Sequence, residues 1–100
     1  MDHQALKILE DSIGIQQAQD LNVLKIMQCR FNILECEREL SMFSNPYFLQ
    51  SESLDRMKVA AETRLRELKN ERAQLADEFK ENQRKLEKLR AELSDRRTLP

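Results

Sequence analysis

The sequence predicts an all-α protein: an antiparallel two-helix hairpin that packs as a coiled coil and is completed by self-association or by a partner helix. Three observations lead to this prediction. The 100 residues include one Gly, two Pro and 35% charged residues, too few turn formers for a sheet-based fold. One clear turn signal lies near the middle of the chain. On both sides of it, apolar residues recur at alternating three- and four-residue steps, the spacing of coiled-coil helices.

The first helix is predicted from about residue 4 to residue 43, as part of a single hairpin domain that spans residues 1–100. Gly14 is its weak point, because Gly costs about 1 kcal/mol relative to Ala inside a helix. We therefore expect the helix either to fray or to have a joint at Gly14.

The second half of the first helix carries two apolar stripes. The first stripe comprises Ile26, Cys29, Ile33, Cys36, Leu40 and Phe43, and the second stripe comprises Leu24, Met27, Phe31 and Leu34. At 100° per residue the two stripes point in almost opposite directions. A single neighbouring helix can cover one of them only.

The turn is predicted over residues 44–52. Asn45 precedes Pro46, a pair that disfavours helix and suits a turn. Ser51 and Ser53 are both credible N-caps of the next helix, with Asp55 in its first turn. An apolar knob formed by Tyr47, Phe48 and Leu49 has two interpretations. Either the knob is a docking point at the hairpin tip, or Phe48 and Leu49 fold back as a plug over the end of the hairpin.

The second helix is predicted from about residue 53 to residue 96 and carries one long stripe. Its members are Leu54, Ala61, Leu65, Leu68, Arg72, Leu75, Phe79, Asn82, Leu86, Leu89 and Leu93. Arg72 and Asn82 interrupt the apolar pattern. Such polar positions either select the register of pairing or lie where the helix is locally exposed.

The short turn and the matched helix lengths favour an antiparallel hairpin. A parallel dimer of the second helix would instead place Arg64 against Lys69 and Lys85 against Arg90, which repel. The hairpin register that aligns the first stripe with the long stripe places Cys36 near Ala61 and Cys29 near Leu68.

This hairpin leaves the second stripe uncovered. Each of its four side chains would gain about 1.5–3 kcal/mol on burial, so we expect protein partners, identical or different, that bind through helix packing. The residues predicted to bind partners are Leu24, Met27, Phe31, Leu34, Leu65, Leu68, Leu75, Phe79, Leu86, Leu89, Tyr47 and Phe48.

Little in the sequence points to chemistry. Cys29 and Cys36 lie about 10 Å apart on one helix face, too far for a disulfide within that helix. They are interpreted as core residues. His3 is the one histidine, which argues against a zinc site and against a nucleophile–base pair. With one Gly there is no phosphate-binding loop. We expect no enzyme activity, no metal and no cofactor.

Other classes of partner are also disfavoured. The basic residues alternate with acidic ones and the net charge is −1, so no basic block is available for nucleic acid. The most apolar stretch, residues 21–34, is interrupted by Lys25 and Arg30, which argues against membrane insertion. The first residues lack the features of a secretory signal. We expect the protein in the cytoplasm, with the nucleus as an alternative.

Two functional hypotheses follow. The first is a non-enzymatic structural or adaptor subunit that assembles through coiled-coil packing. The alternative is a small helical chaperone of the secretion or assembly type, which would sheathe an amphipathic segment of a client protein. The second stripe would be permanently covered in the first case and transiently covered in the other.

Overall fold

The computed structural model describes residues 2–47 and 51–98, without the side chains of residues 97 and 98. Helix α1 extends over His3–Phe43 and helix α2 over Glu52–Thr98. The described residues contain no strand. The chain is an all-α helical hairpin, and the predicted fold class is confirmed.

Asp2 caps the start of α1. Its carboxylate accepts the backbone N–H of Ala5 at 2.5 Å, and its carbonyl accepts the N–H of Leu6 at 3.1 Å. The Arg96 guanidinium donates to the other carboxylate oxygen at 3.2 Å. The Ala5 N–H first, and then the charge of Arg96, lower the pKa of Asp2 against an opposing effect of desolvation.

The expected fray or joint at Gly14 was wrong. Helix α1 is continuous through this residue, and no glycine adopts a positive φ. The neighbouring turns pack in the same interface, with Ile8 buried and Ile15 half-buried. Burying such side chains stabilises the helix by more than the roughly 1 kcal/mol that the glycine costs.

The turn and the start of α2 are fixed by local hydrogen bonds. The Asn45 side-chain oxygen accepts the Tyr47 N–H at 3.0 Å, an Asx turn of the kind that Asn favours. Ser51, and not Ser53, caps α2: its hydroxyl oxygen accepts the Leu54 N–H at 3.1 Å. Asp55 lies in the first turn of α2, as predicted.

The residues pack into two units, a terminal unit (Met1–Lys25 and Leu75–Pro100) and a turn unit (Ile26–Gln74). In the turn unit the first stripe faces α2. The Cys36 thiol donates to the Ala61 carbonyl at 3.0 Å, and the Cys29 thiol donates to the Leu68 carbonyl at 3.2 Å. The predicted register is thereby confirmed at these two pairs. The buried residues are Cys29, Ile33, Cys36, Ala61 and Leu68, and the half-buried stripe residues are Ile26, Leu40, Phe43, Leu54 and Leu65.

The terminal unit has a more polar interior. Its buried residues are Ala5, Ile8, Gln19, Asn22, Leu75 and Leu86. Around them lie half-buried Ser12, Ile15, Phe79, Asn82, Leu89 and Leu93. The stripe of α1 that faces α2 therefore begins at Ala5 and keeps its three–four spacing to Asn22.

The two polar interruptions of the long stripe behave differently. Arg72, in the turn unit, is exposed, as the local-exposure interpretation requires. Asn82, in the terminal unit, is half-buried and donates its amide to the Gln19 side-chain oxygen at 3.3 Å. Asn82 therefore has a matching polar residue on α1, as a register-selecting position would.

Candidate protein interface

The second stripe is exposed. Leu24 in the terminal unit and Met27, Phe31 and Leu34 in the turn unit are each 56–65% exposed. Helix α2 packs on the opposite side of α1, where Cys29 and Cys36 donate to its carbonyls. The prediction that the hairpin leaves this stripe uncovered is confirmed. Large apolar side chains grouped on one helix face mark interaction surfaces in soluble proteins.

The predicted partner-binding residues of α2 lie elsewhere, in the interface between the two helices. Leu68, Leu75 and Leu86 are buried, and Leu65, Phe79 and Leu89 are half-buried. The carbonyls of Leu68, Leu75 and Phe79 accept hydrogen bonds from α1 side chains. These residues stabilise the hairpin itself. Their binding of a second protein remains a prediction.

The apolar knob at the turn is described in part. Tyr47 is 93% exposed at the turn. Phe48 and Leu49 lie outside the described residues, and the choice between the docking and plug interpretations stays open for them.

Both cysteines are free and buried. Burial first, and then the nearby negative charge of Glu71, raise the pKa of the Cys29 thiol, against an opposing effect of Arg72. A thiol that is buried, protonated and bonded to a carbonyl is a poor nucleophile. The geometry agrees with the core interpretation of Cys29.

Sequence reasoning missed a polar cluster in the terminal unit. The Gln19 side chain donates to the Phe79 carbonyl at 3.0 Å, and the Asn22 amide donates to the Leu75 carbonyl at 3.1 Å. Both residues are only 4% exposed. The sequence contained a signal for this cluster. The first stripe continues towards the N-terminus at the same spacing, through residues 22, 19, 15, 12, 8 and 5.

A shallow groove of about 450 Å³ opens beside Gly14 in the terminal unit. It is lined by Glu10, Asp11, Gly14, Ile15, Lys85, Lys88, Leu89 and Glu92. Three carboxylates and two ammonium groups surround it, so the groove has no strong preference for a ligand of either charge.

Within residues 2–47 and 51–98, no three described His, Cys, Asp or Glu side chains converge as they would around a metal ion. His3 is exposed at the start of α1. Neither α1 nor α2, over the residues described, contains a segment apolar and long enough to cross a bilayer.

Comparison of the chain with protein-family profiles, with curated proteins and with solved structures gave no match.

Proposed function

We propose that this chain is a non-enzymatic structural or adaptor subunit, which joins a larger protein assembly by packing the second stripe against another helix. The observation that carries this proposal is the exposure of Met27, Phe31 and Leu34 on a helix whose opposite side is already packed by α2. One helix thus has two apolar faces, and the hairpin uses one of them.

The spacing of the stripe supports a helix as the binding element. Side chains at three–four steps insert between those of a facing helix, whereas a flat sheet or a compact pocket would not match such a row. The helix that presents the stripe is already fixed by its packing on α2. Little backbone freedom is therefore lost on binding, which favours affinity.

Site-specific photo-crosslinking in the native cell tests this function. A benzophenone amino acid replaces Phe31 in one variant and Val59 in a control, since Val59 is a similarly exposed apolar residue of α2 in the same unit. We expect the probe at position 31 to give one discrete adduct and the probe at position 59 to give none. An equal yield at both positions would refute the proposed interface.

The same experiment separates the chaperone alternative. A structural subunit has a constant partner, so it gives one product of defined mass. A chaperone that covers many client segments gives a broad ladder of products at position 31.

Phe31→Glu should abolish the adduct of a probe placed at Met27, because a carboxylate inside an apolar interface is strongly unfavourable. Val59→Glu should leave that adduct unchanged.

A further inference from the structure

We propose that the second stripe binds a second copy of this chain, with the two α1 helices antiparallel and related by a twofold axis near residue 29. This inference rests on the proposed function and names the partner at the same surface. It follows from the arrangement of apolar and charged residues along α1.

The stripe and its flanking charges are symmetric in spacing. Asp20, Leu24, Met27, Phe31, Leu34 and Arg38 follow one another at steps of four, three, four, three and four residues. All six side chains are exposed. All six belong to helix α1, and in an α-helix residues at such steps fall on the same face.

A twofold interface requires a surface that complements itself. Antiparallel pairing about residue 29 sets Leu24 against Leu34 of the second copy and Met27 against Phe31 of the second copy. The apolar core then consists of four such contacts. No apolar residue of the stripe meets a charged one.

The charges at the two ends select the antiparallel direction. Asp20 faces Arg38 of the second copy, and the symmetry repeats this attractive pair at the other end. A parallel arrangement would instead place aspartate against aspartate and arginine against arginine. Since like charges repel at this separation, the antiparallel pairing is favoured.

One pairing brings like charges together. Arg30, exposed beside the stripe, lies close to the axis and approaches Arg30 of the second copy at the rim. Long, solvated side chains can diverge there, so the cost is small. Helix α2 does not obstruct the second copy, because it packs on the other side of α1.

The surface is of moderate size. A patch of four apolar side chains is comparable with the roughly 300–600 Å² patches of typical monomers, below the roughly 800 Å² per partner of a standard stable interface. We therefore expect a reversible dimer whose mass depends on concentration.

Sedimentation equilibrium of the purified full chain tests the inference between about 1 μM and about 1 mM, the range of weak to moderate association. The wild-type mass should rise from 11.9 kDa towards twice that value. D20R and R38D each turn both end pairs from attractive to repulsive, so each should dimerise roughly tenfold more weakly. Circular dichroism verifies that both variants remain helical.

Mixing the two variants gives the decisive result. D20R carries two arginines at the ends of the stripe and R38D carries two aspartates, so a mixed dimer regains both attractive pairs. The equimolar mixture should dimerise nearly as well as the wild type and more strongly than either variant alone, and high salt should reduce this recovery.

Two outcomes would overturn the inference. A wild-type chain that keeps a mass of 11.9 kDa over the whole range excludes a second copy as the partner. A wild-type dimer that D20R leaves unchanged excludes the antiparallel pairing. In either case, one discrete adduct of another mass from the probe at position 31 would still support the proposed function. Loss of that adduct would refute the proposed function itself.

Discussion

Asn22 and Leu75 are joined across the interface of the terminal unit, where the Asn22 amide donates to the Leu75 carbonyl at 3.1 Å. The other amide atom, Asn22 Oδ1, is buried without a hydrogen-bond partner among the residues that the structure describes. A buried acceptor without a partner costs about 1–3 kcal/mol. This pair therefore combines a specific contact with a local loss of stability.

Asn22→Leu should raise the free energy of unfolding by about 1 kcal/mol, because the loss of the unpaired oxygen outweighs the overpacking by the larger side chain. Urea denaturation at one low protein concentration measures the change. Asn70→Leu, at an exposed position of α2, controls for the higher helix propensity of Leu. An equal gain from both variants would show that Asn22 Oδ1 costs nothing.

Cys36 is only 2% exposed and its sulfur lies 3.0 Å from the Ala61 carbonyl oxygen, so a larger side chain would have to displace its neighbours. Cys36→Leu should lower the free energy of unfolding by about 1–3 kcal/mol through overpacking. Cys36→Ala should cost about 1 kcal/mol through lost contact. Ser41→Leu, at an exposed position of α1, should change stability little. A Leu at position 36 that stabilises the chain would contradict the close packing.

The Cys29 thiol makes stability depend on pH in the alkaline range. Its pKa is higher in the folded chain than the ordinary 9.0, so its contribution is full below that value. The contribution is lost as pH rises through the folded pKa, because the unfolded chain releases the proton more readily. Denaturation curves between about pH 7 and pH 10 should show this loss.

Cys29→Ser should remove that part of the alkaline loss, since a hydroxyl does not ionise in this range. Lys and Tyr titrate at higher pH and are present in both proteins. An identical pH dependence in wild type and variant would show that Cys29 ionises as readily in the folded chain as in the unfolded one.

Gly14→Ala should stabilise the chain by about 1 kcal/mol, the difference in helix propensity between the two residues. A Cβ atom at this position would meet nothing within 4 Å, so the substitution introduces no clash. Ala18→Gly is the matched reverse change at an exposed position of the same helix and unit. It should destabilise by a similar amount. A destabilising Gly14→Ala would indicate that α1 is not a regular helix there in solution.

Much of the fold could be predicted from the pattern of large apolar residues. The first stripe and the turn signal were sufficient to place Cys36 on Ala61 and Cys29 on Leu68. The same pattern identified the exposed second stripe, because Met27 and Phe31 cannot face α2 when Cys29 does. Periodicity is informative wherever one face of a helix is consistently apolar.

Other features escaped prediction because they depend on neighbours that local sequence does not show. Gln19 and Asn22 are polar, and their burial depends on carbonyls of α2 that accept their amides. Gly14 has a low helix propensity that packing of the surrounding turns overcomes. Ser51 and Ser53 are equivalent by type, and only the chain geometry makes Ser51 the cap.

In helix α1, the residues that face α2 and the exposed residues of the second stripe keep a fixed angle about the helix axis. A change in the length of α1 would therefore disturb both faces. A single inserted residue after Gln28 would rotate everything that follows by 100°. Phe31 would leave the outward line and Ile33 the inward one in the same event. An insertion of seven residues would nearly restore both faces, and an extra residue in the turn would disturb neither. We expect α1 to accept many replacements and very few insertions or deletions.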